Sequence, residues 1–275
     1  MLVLSEKKKL ILGDKREKKS RSLIPFSRAM NLVWLITLVH LLVVKTSSVN
    51  HTSCQFFRMR YGSVENSAVC QGEFLQIDSL KEALQGITEN INTFEFKNVT
   101  IDALPDDLFG EMQNATIKKI IFSYSSVELL NAPLNAYSPF KSVEDTLESL
   151  EIYDSSSVFA WNISILTSLK KLTTFVVENS EFFEMKALFG KFTTLKFIQF
   201  VSSNIKWIHS HAFKNNKNLS ICSLANNYIS HVERSMFPKP AMHLWSLDLR
   251  YVVHLLSIFN YACSKLEKKL CFLTV

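Results

Sequence analysis

Glycine is scarce in this chain of 275 residues, and its six copies are scattered, so no glycine-rich loop exists to cradle a phosphate. Neither a Gly-x-Ser-x-Gly elbow nor a His-Glu-x-x-His helix is present, which removes two common hydrolase signatures. The five cysteines show no Cys-x-x-Cys or Cys/His spacing, so no zinc site is expected. The apolar run Leu32 to Val44 covers 13 residues, too few to cross a bilayer comfortably, which takes about 20. Net basic charge is missing from most of the chain. Residues 1–29 carry nine Lys and Arg against three Asp and Glu, which accounts for the whole net charge of +6. From Met30 onward, 22 basic residues balance 22 acidic ones, so the high pI gives no reason to expect nucleic acid or an anionic membrane as partner.

What is present is an apolar ladder that repeats seven times. Each rung reads apolar, two residues, apolar, one residue, apolar. The rungs begin at Ile91, Ile117, Leu147, Leu172, Leu195, Leu219 and Leu244, at steps of 26, 30, 25, 23, 24 and 25 residues. A period in this range marks a solenoid. The last two apolar members of a rung alternate as a strand requires, as in Ile198 and Phe200 or Cys222 and Leu224. Such a strand cannot bury its apolar face alone, but stacked copies build a parallel sheet over a shared core. A second apolar set follows, as in Ile205, Ile208 and Phe213, and would fill the core from the other side. The ninth place needs a side chain able to bond unpaired backbone groups. Ser125, Ser155, Ser180, Ser203 and Asn227 hold it in five rungs, whereas Val99 and Val252 break the rule.

The resulting pattern, LxxLxLxx(N/S)xL, resembles the leucine-rich repeat family from Ile91 to about Tyr251. It implies an α/β-type solenoid: a horseshoe with short parallel strands on its concave face and irregular or helical convex segments. Phe is frequent, at 21 residues, and Phe94, Phe96, Phe122, Phe175 and Phe200 stand where Leu is usual. The Phe-rich irregular rungs, the Ser at the ninth place and a short two-Cys cap resemble a group of arthropod secreted proteins. These are named after the non-catalytic subunit of Oplophorus-luciferin 2-monooxygenase. The resemblance implies an accessory, partner-binding chain without oxidase chemistry or cofactor of its own. It also implies that Cys54 and Cys70 pair to staple an N-terminal cap. Cys222, at an inward place, reads as a buried free thiol, and Cys263 and Cys271 could pair with each other.

The expected organisation is a basic leader at 1–29, a signal peptide at 30–48, a cap at 49–90, repeats at 91–251 and an atypical tail at 252–275. Residues 1–29 read as an upstream extension of the reading frame. The alternative is a cytosolic arm before an uncleaved anchor at 32–44. The tail lacks the next rung and reads as a truncation, or else as an improvised apolar cap. Sequons at Asn50, Asn98, Asn114, Asn162 and Asn218 support a secreted, glycosylated product.

The third, fifth and seventh places of each rung face outward on the sheet. They include Glu95, Ile121, Glu151, Tyr153, Val176, Glu178, Phe197, Gln199, Val201 and Ile221. Apolar side chains here, rimmed by Glu95, Glu151 and Glu178, predict a protein-contact surface. Strand preference alone would also place β-branched residues there. His209 and His211 form a His-x-His on the convex side, where polar residues normally face water. The expected function is protein binding by a non-catalytic secreted chain, with no metal, cofactor or nucleic acid. A membrane-anchored receptor is the rival reading, and an enzyme would have only scattered Glu residues to work with.

Overall fold

The computed structural model describes residues 46–49, 52–61, 63–72, 77–87, 90–112, 116–130, 137–251 and 273–274. The expected leader and most of the expected signal peptide lie outside them. So do Asn50, Asn114, Val252, Cys263 and Cys271.

Each rung forms one strand of a continuous sheet. After β1 (Thr46–Val49), β2 (Thr52–Tyr61) and β3 (Ser63–Gly72), the first rung gives β4 (Thr93–Ala103). Later rungs give β5 (Lys119–Ser123), β7 (Ser149–Tyr153) and β8 (Thr174–Glu178). They continue through β10 (Phe197–Val201), β12 (Ile221–Ser223) and β13 (Ser246–Asp248). Between them lie β6 (Ser126–Leu129), β9 (Glu184–Met185) and β11 (Trp207–Ile208) on the far side, with β14 (Leu273–Thr274) at the end. The rung strands pair in parallel, and each pairs with the same place in the next rung: Phe94 with Ile120, then Leu150, Phe175, Ile198, Cys222 and Leu247. The repeat spacing read from the sequence is therefore the register of the sheet.

The inward triplets are buried as the ladder predicts, from Ile91, Phe94 and Phe96 through Leu219, Cys222 and Leu224. Leu247 on the last rung is only half-buried. There β14 pairs with β13 in parallel, Leu247 against Leu273. The second apolar set closes the core from the far side, with Ile101, Leu104, Ile205, Phe213, Ile229 and Val232 all buried. Each fully buried Leu, Ile or Phe contributes about 1.5–3 kcal/mol of transfer free energy. The phenylalanines touch from coil to coil. Phe96 stacks on Phe122 with ring centroids 4.8 Å apart, and Phe175 meets Phe200 edge-on at 5.2 Å. They fill the interior that Leu fills in a regular array.

Besides the short strands β6, β9 and β11, the described far-side segments form 3-10 turns, among them Leu108–Glu111, Ile163–Ser168 and Ala187–Lys191, and not α-helices. The α-helix of the described residues, α1 (Ile77–Gln85), belongs to the cap. Its Leu80, Ala83 and Leu84 recur at helical spacing and are buried on one stripe. The cap holds more sheet than its sequence suggests. β2 and β3 form an antiparallel hairpin tied by the Cys54–Cys70 disulfide, and β3 continues in parallel onto β4. Strand β1 adds to β2 and straddles the expected boundary between signal peptide and cap.

The third rung carries one extra residue before Val158. Ser157 absorbs it in a left-handed conformation (φ 66°), and Val158 still reaches the core. Among the described residues no helix is long and apolar enough to cross a membrane.

Candidate partner-binding face

The ninth-place side chains hold the turn that leaves the sheet. The backbone N–H of Ser125 donates to the Ser155 hydroxyl at 3.1 Å, and that of Ser155 to the Ser180 hydroxyl at 2.9 Å. Asn227 does more, because its amide both donates and accepts. Its Oδ1 takes the N–H groups of Ser203 and Ile205 at 3.0 Å, while Nδ2 donates to Phe200, Leu224 and Ala225 carbonyls. Val99, which cannot accept, sends its own N–H to the Ser125 hydroxyl at 3.3 Å.

The place before it carries a signal that the ladder pattern overlooks. The eighth residue of every rung is left-handed: Asn98, Tyr124, Asp154, Asn179, Ser202, Asn226 and Tyr251, with φ between 47° and 60°. Glycine would meet this need, but the chain has almost none, and Asn or Asp takes its place in four of these seven turns. Such turns fix the direction in which each strand ends, and so the spacing of the outward side chains.

Parallel in-register pairing gathers the outward residues into columns. The fifth places form the run Glu95, Ile121, Glu151, Val176, Gln199, Ser223 and Asp248. Beside it lie Ser123, Tyr153, Glu178 and Val201, and on the other side Lys119, Ser149, Thr174, Phe197 and Ile221.

Two residues depart from the expected exposed patch with an acidic rim. Val176 is only 4% exposed, because its in-register neighbours are the longer Glu151 and Gln199. Glu151 is 9% exposed and is not a free rim charge. Its Oε1 accepts from the Ser149 hydroxyl at 2.8 Å. Its Oε2 accepts from the Tyr153 hydroxyl at 2.9 Å and pairs with Lys119 Nζ at 2.7 Å. This nearly buried carboxylate braces three strand residues. The apolar residues still open to solvent in part are Ile121, Phe197, Val201 and Ile221.

The other acids of the face also have partners. Glu95 accepts from the Ser123 hydroxyl at 2.5 Å, and Glu178 Oε1 accepts from Gln199 Nε2. Partial burial, with the charges of Asp154 and Glu151, raises the Glu178 carboxyl above the usual glutamate range. Burial, the hydrogen bond to Glu151 and the charge of Glu178 push the Tyr153 phenol up as well. At the far end Arg250 donates to both oxygens of Asp248, at 2.9 and 2.7 Å, and holds that carboxyl below its ordinary value. The face thus has a braced, acidic, hydroxyl-rich part, followed by Phe197 and Ile221, in register on one side of Gln199, and by Val201, next to Glu178, on its other side. It can present hydrogen-bond acceptors and an apolar anchor point to another molecule.

Other sequence candidates are dispersed. His209 and His211 are exposed on the far side, with the His211 N–H donating to His209 Nδ1 at 3.2 Å. Among the described residues no group of three or more His, Cys, Asp or Glu is placed to hold a metal. Cys222 is a free buried thiol. Of the sequons, Asn98, Asn162 and Asn218 are exposed.

No family model matches the sequence, and no curated protein matches it. Among solved structures, the fold is similar to that of TLR13 in a TLR13–ssRNA13 complex. The TM-score is 0.53 at 16% identity, covering 74% of this chain and 34% of that one. The chain spans about a third of the length of that structure. The likeness is one of fold, and with the in-register ladder it makes this chain a leucine-rich repeat solenoid.

Proposed function

We propose that the chain is a non-catalytic binding protein that takes a protein ligand on the outward face of its parallel sheet. The observation that carries this reading is the pair Phe197 and Ile221, in register on neighbouring strands and partly open to solvent, with Val201 on the same face beside the Glu178 carboxylate. An apolar anchor next to acceptors suits a protein surface bearing an exposed aliphatic or aromatic residue and a basic one. The face is poorly suited to a polyphosphate backbone. Its acids would repel it, and two of its cations, Lys119 and Arg250, are engaged by Glu151 and Asp248. RNA in the TLR13 complex is therefore a property of that protein.

Secretion is part of the same reading. It is supported by the Cys54–Cys70 disulfide, since such bonds persist in oxidising compartments, and by the sequons. The accessory role rests on the style of the rungs and on their likeness to the arthropod group.

The test uses the glycosylated protein from a secretory eukaryotic host as bait in the extracellular fluid of its source. Wild type is compared with Phe197→Glu on the sheet face and Trp207→Glu on the far side, where Trp207 is exposed. A partner retained by wild type and Trp207→Glu but lost with Phe197→Glu is expected. Equal loss with both variants, or retention by both, would contradict the proposed face.

A further inference from the structure

A groove of about 270 Å³ with a mixed polar and aromatic lining opens on the far side of the third and fourth coils, away from the sheet. Phe159, Trp161, Phe182, Phe183 and Phe189 line it, with Glu184 and Lys186 supplying charge. Phe159 is 53% exposed and lies against Phe183 with ring centroids 5.3 Å apart. The Phe183 backbone is left-handed (φ 55°), a conformation rare for a bulky residue. Exposed aromatic surface of this kind on a secreted chain calls for a cover.

The wall of the same groove contains Asn162, the acceptor residue of the sequon Asn162-Ile163-Ser164. Asn162 is exposed, and its Oδ1 accepts from the Ser164 N–H at 3.2 Å and the Ser164 hydroxyl at 2.6 Å. Nδ2, the atom that carries an N-linked sugar, is left with no acceptor among the described residues. The contrast is Asn218, whose Nδ2 donates to the Thr193 carbonyl at 3.1 Å.

We infer that Asn162 is N-glycosylated and that its first sugars lie over Phe159 and Phe183, with the chain's own glycan closing the groove. The inference rests on the secretory reading above. In the transfer, Asn162 Nδ2 attacks the anomeric carbon of a lipid-diphosphate-linked oligosaccharide. The carbon–nitrogen bond forms as the bond from that carbon to the diphosphate oxygen breaks. The lipid diphosphate leaves with the electron pair, and the Nδ2 proton passes to a base of the transferase. This happens on the extended nascent chain; the fold then decides where the sugar lies. A pyranose has one face made largely of C–H groups, which packs on an aromatic ring. Its hydroxyls and acetamide can bond Glu184 and Lys186 at the groove's edge.

The experiment is glycopeptide mass spectrometry of protein secreted from a eukaryotic host, followed by a thermal double-mutant cycle. Asn162 is expected to be occupied. Asn162→Gln should lower Tm by about 2–4 °C in the wild-type background. In Phe159→Ser the same change should cost clearly less, only the part due to the lost turn hydrogen bonds of Asn162. Because Asn162→Gln removes a turn hydrogen bond as well as the sugar, folded glycoprotein is also trimmed enzymatically to a single N-acetylglucosamine, which should keep both Tm and a low binding of hydrophobic dye. Complete enzymatic removal should raise dye binding severalfold. Equal Tm losses in both backgrounds, or no loss, would overturn the groove assignment. Other sequons occupied with Asn162 bare would overturn this inference alone. A chain with every sequon bare and none secreted would overturn the secretory reading with it.

Discussion

Ser125 and Ser155 sit at the same place in successive coils, and the backbone N–H of the first donates to the hydroxyl of the second at 3.1 Å. The Ser155 hydroxyl also donates to the Tyr153 carbonyl at 2.8 Å, and both serines are buried. One hydroxyl therefore closes its own turn and bonds the turn before it. Ser155→Ala would leave buried backbone groups without partners, at a cost of about 1–3 kcal/mol. Urea denaturation should show a lower midpoint with an unchanged slope. An unchanged midpoint would mean that the ladder adds nothing to stability.

The eighth-place turns make a prediction of opposite sign. Tyr124 is left-handed (φ 51°) and 60% exposed, so its ring gains little from burial. An ordinary L-residue in this region costs about 1–2 kcal/mol, and Asn tolerates it better. Tyr124→Asn should stabilise the chain by about 0.5–1 kcal/mol, a part of that cost. Asn226→Val, at the same place in the sixth rung, should destabilise it. Thermal melts of the two variants should move in opposite directions.

This place shows where the sequence is legible and where it is not. The inward ladder was readable because burial imposes one chemistry, apolar, at fixed spacing. The starting residues of all seven rungs, and the pairing of equivalent places, follow from it. The left-handed turn imposes only a backbone angle, which Asn, Asp, Ser and Tyr all adopt here. Four Asn or Asp in seven rungs was the available signal. Cap strand β3 was hidden for another reason, since Ala68 and Cys70 fill inward places without the bulk of a rung. On the outward face the repeat pattern gives the residue types but not their exposure, which depends on neighbours one coil away. Val176 is covered between Glu151 and Gln199, and Glu151 is taken up by Ser149, Tyr153 and Lys119.

Glu178 gives stability a pH dependence of definite sign. Burial first, then the charges of Asp154 and Glu151, raise its folded-state carboxyl pKa above the unfolded value. A group raised on folding stabilises most below the unfolded pKa, and that contribution is lost as pH rises through the folded one. Denaturation from about pH 4 upward should show this loss above the usual glutamate range. Glu178→Gln should flatten it, since its amide oxygen can still accept from Gln199. A variant with the wild-type slope would assign the effect to another group.

The disulfide and the free thiol should respond differently to reagents. The Cys54–Cys70 bond closes a separation of 16 residues in the cap hairpin. Reduction, or Cys54→Ala with Cys70→Ala, should cost about 3 kcal/mol by loop-entropy arguments. Cys222 is fully buried, and burial pushes its thiol up, so it should resist alkylation in the native state. Peptide mass spectrometry should find Cys222 modified only after unfolding. Rapid labelling of the native protein would mean that the solenoid opens at its sixth coil.

The central claim is that the outward sheet face is where a partner binds, and site-directed photo-cross-linking tests it most directly. A photoreactive phenylalanine replaces Phe197 on the sheet face in one protein and Trp207 on the far side in another, both in the extracellular fluid of the source. The account predicts one protein adduct from position 197 and none from 207. The same adduct from 207, with none from 197, would contradict it.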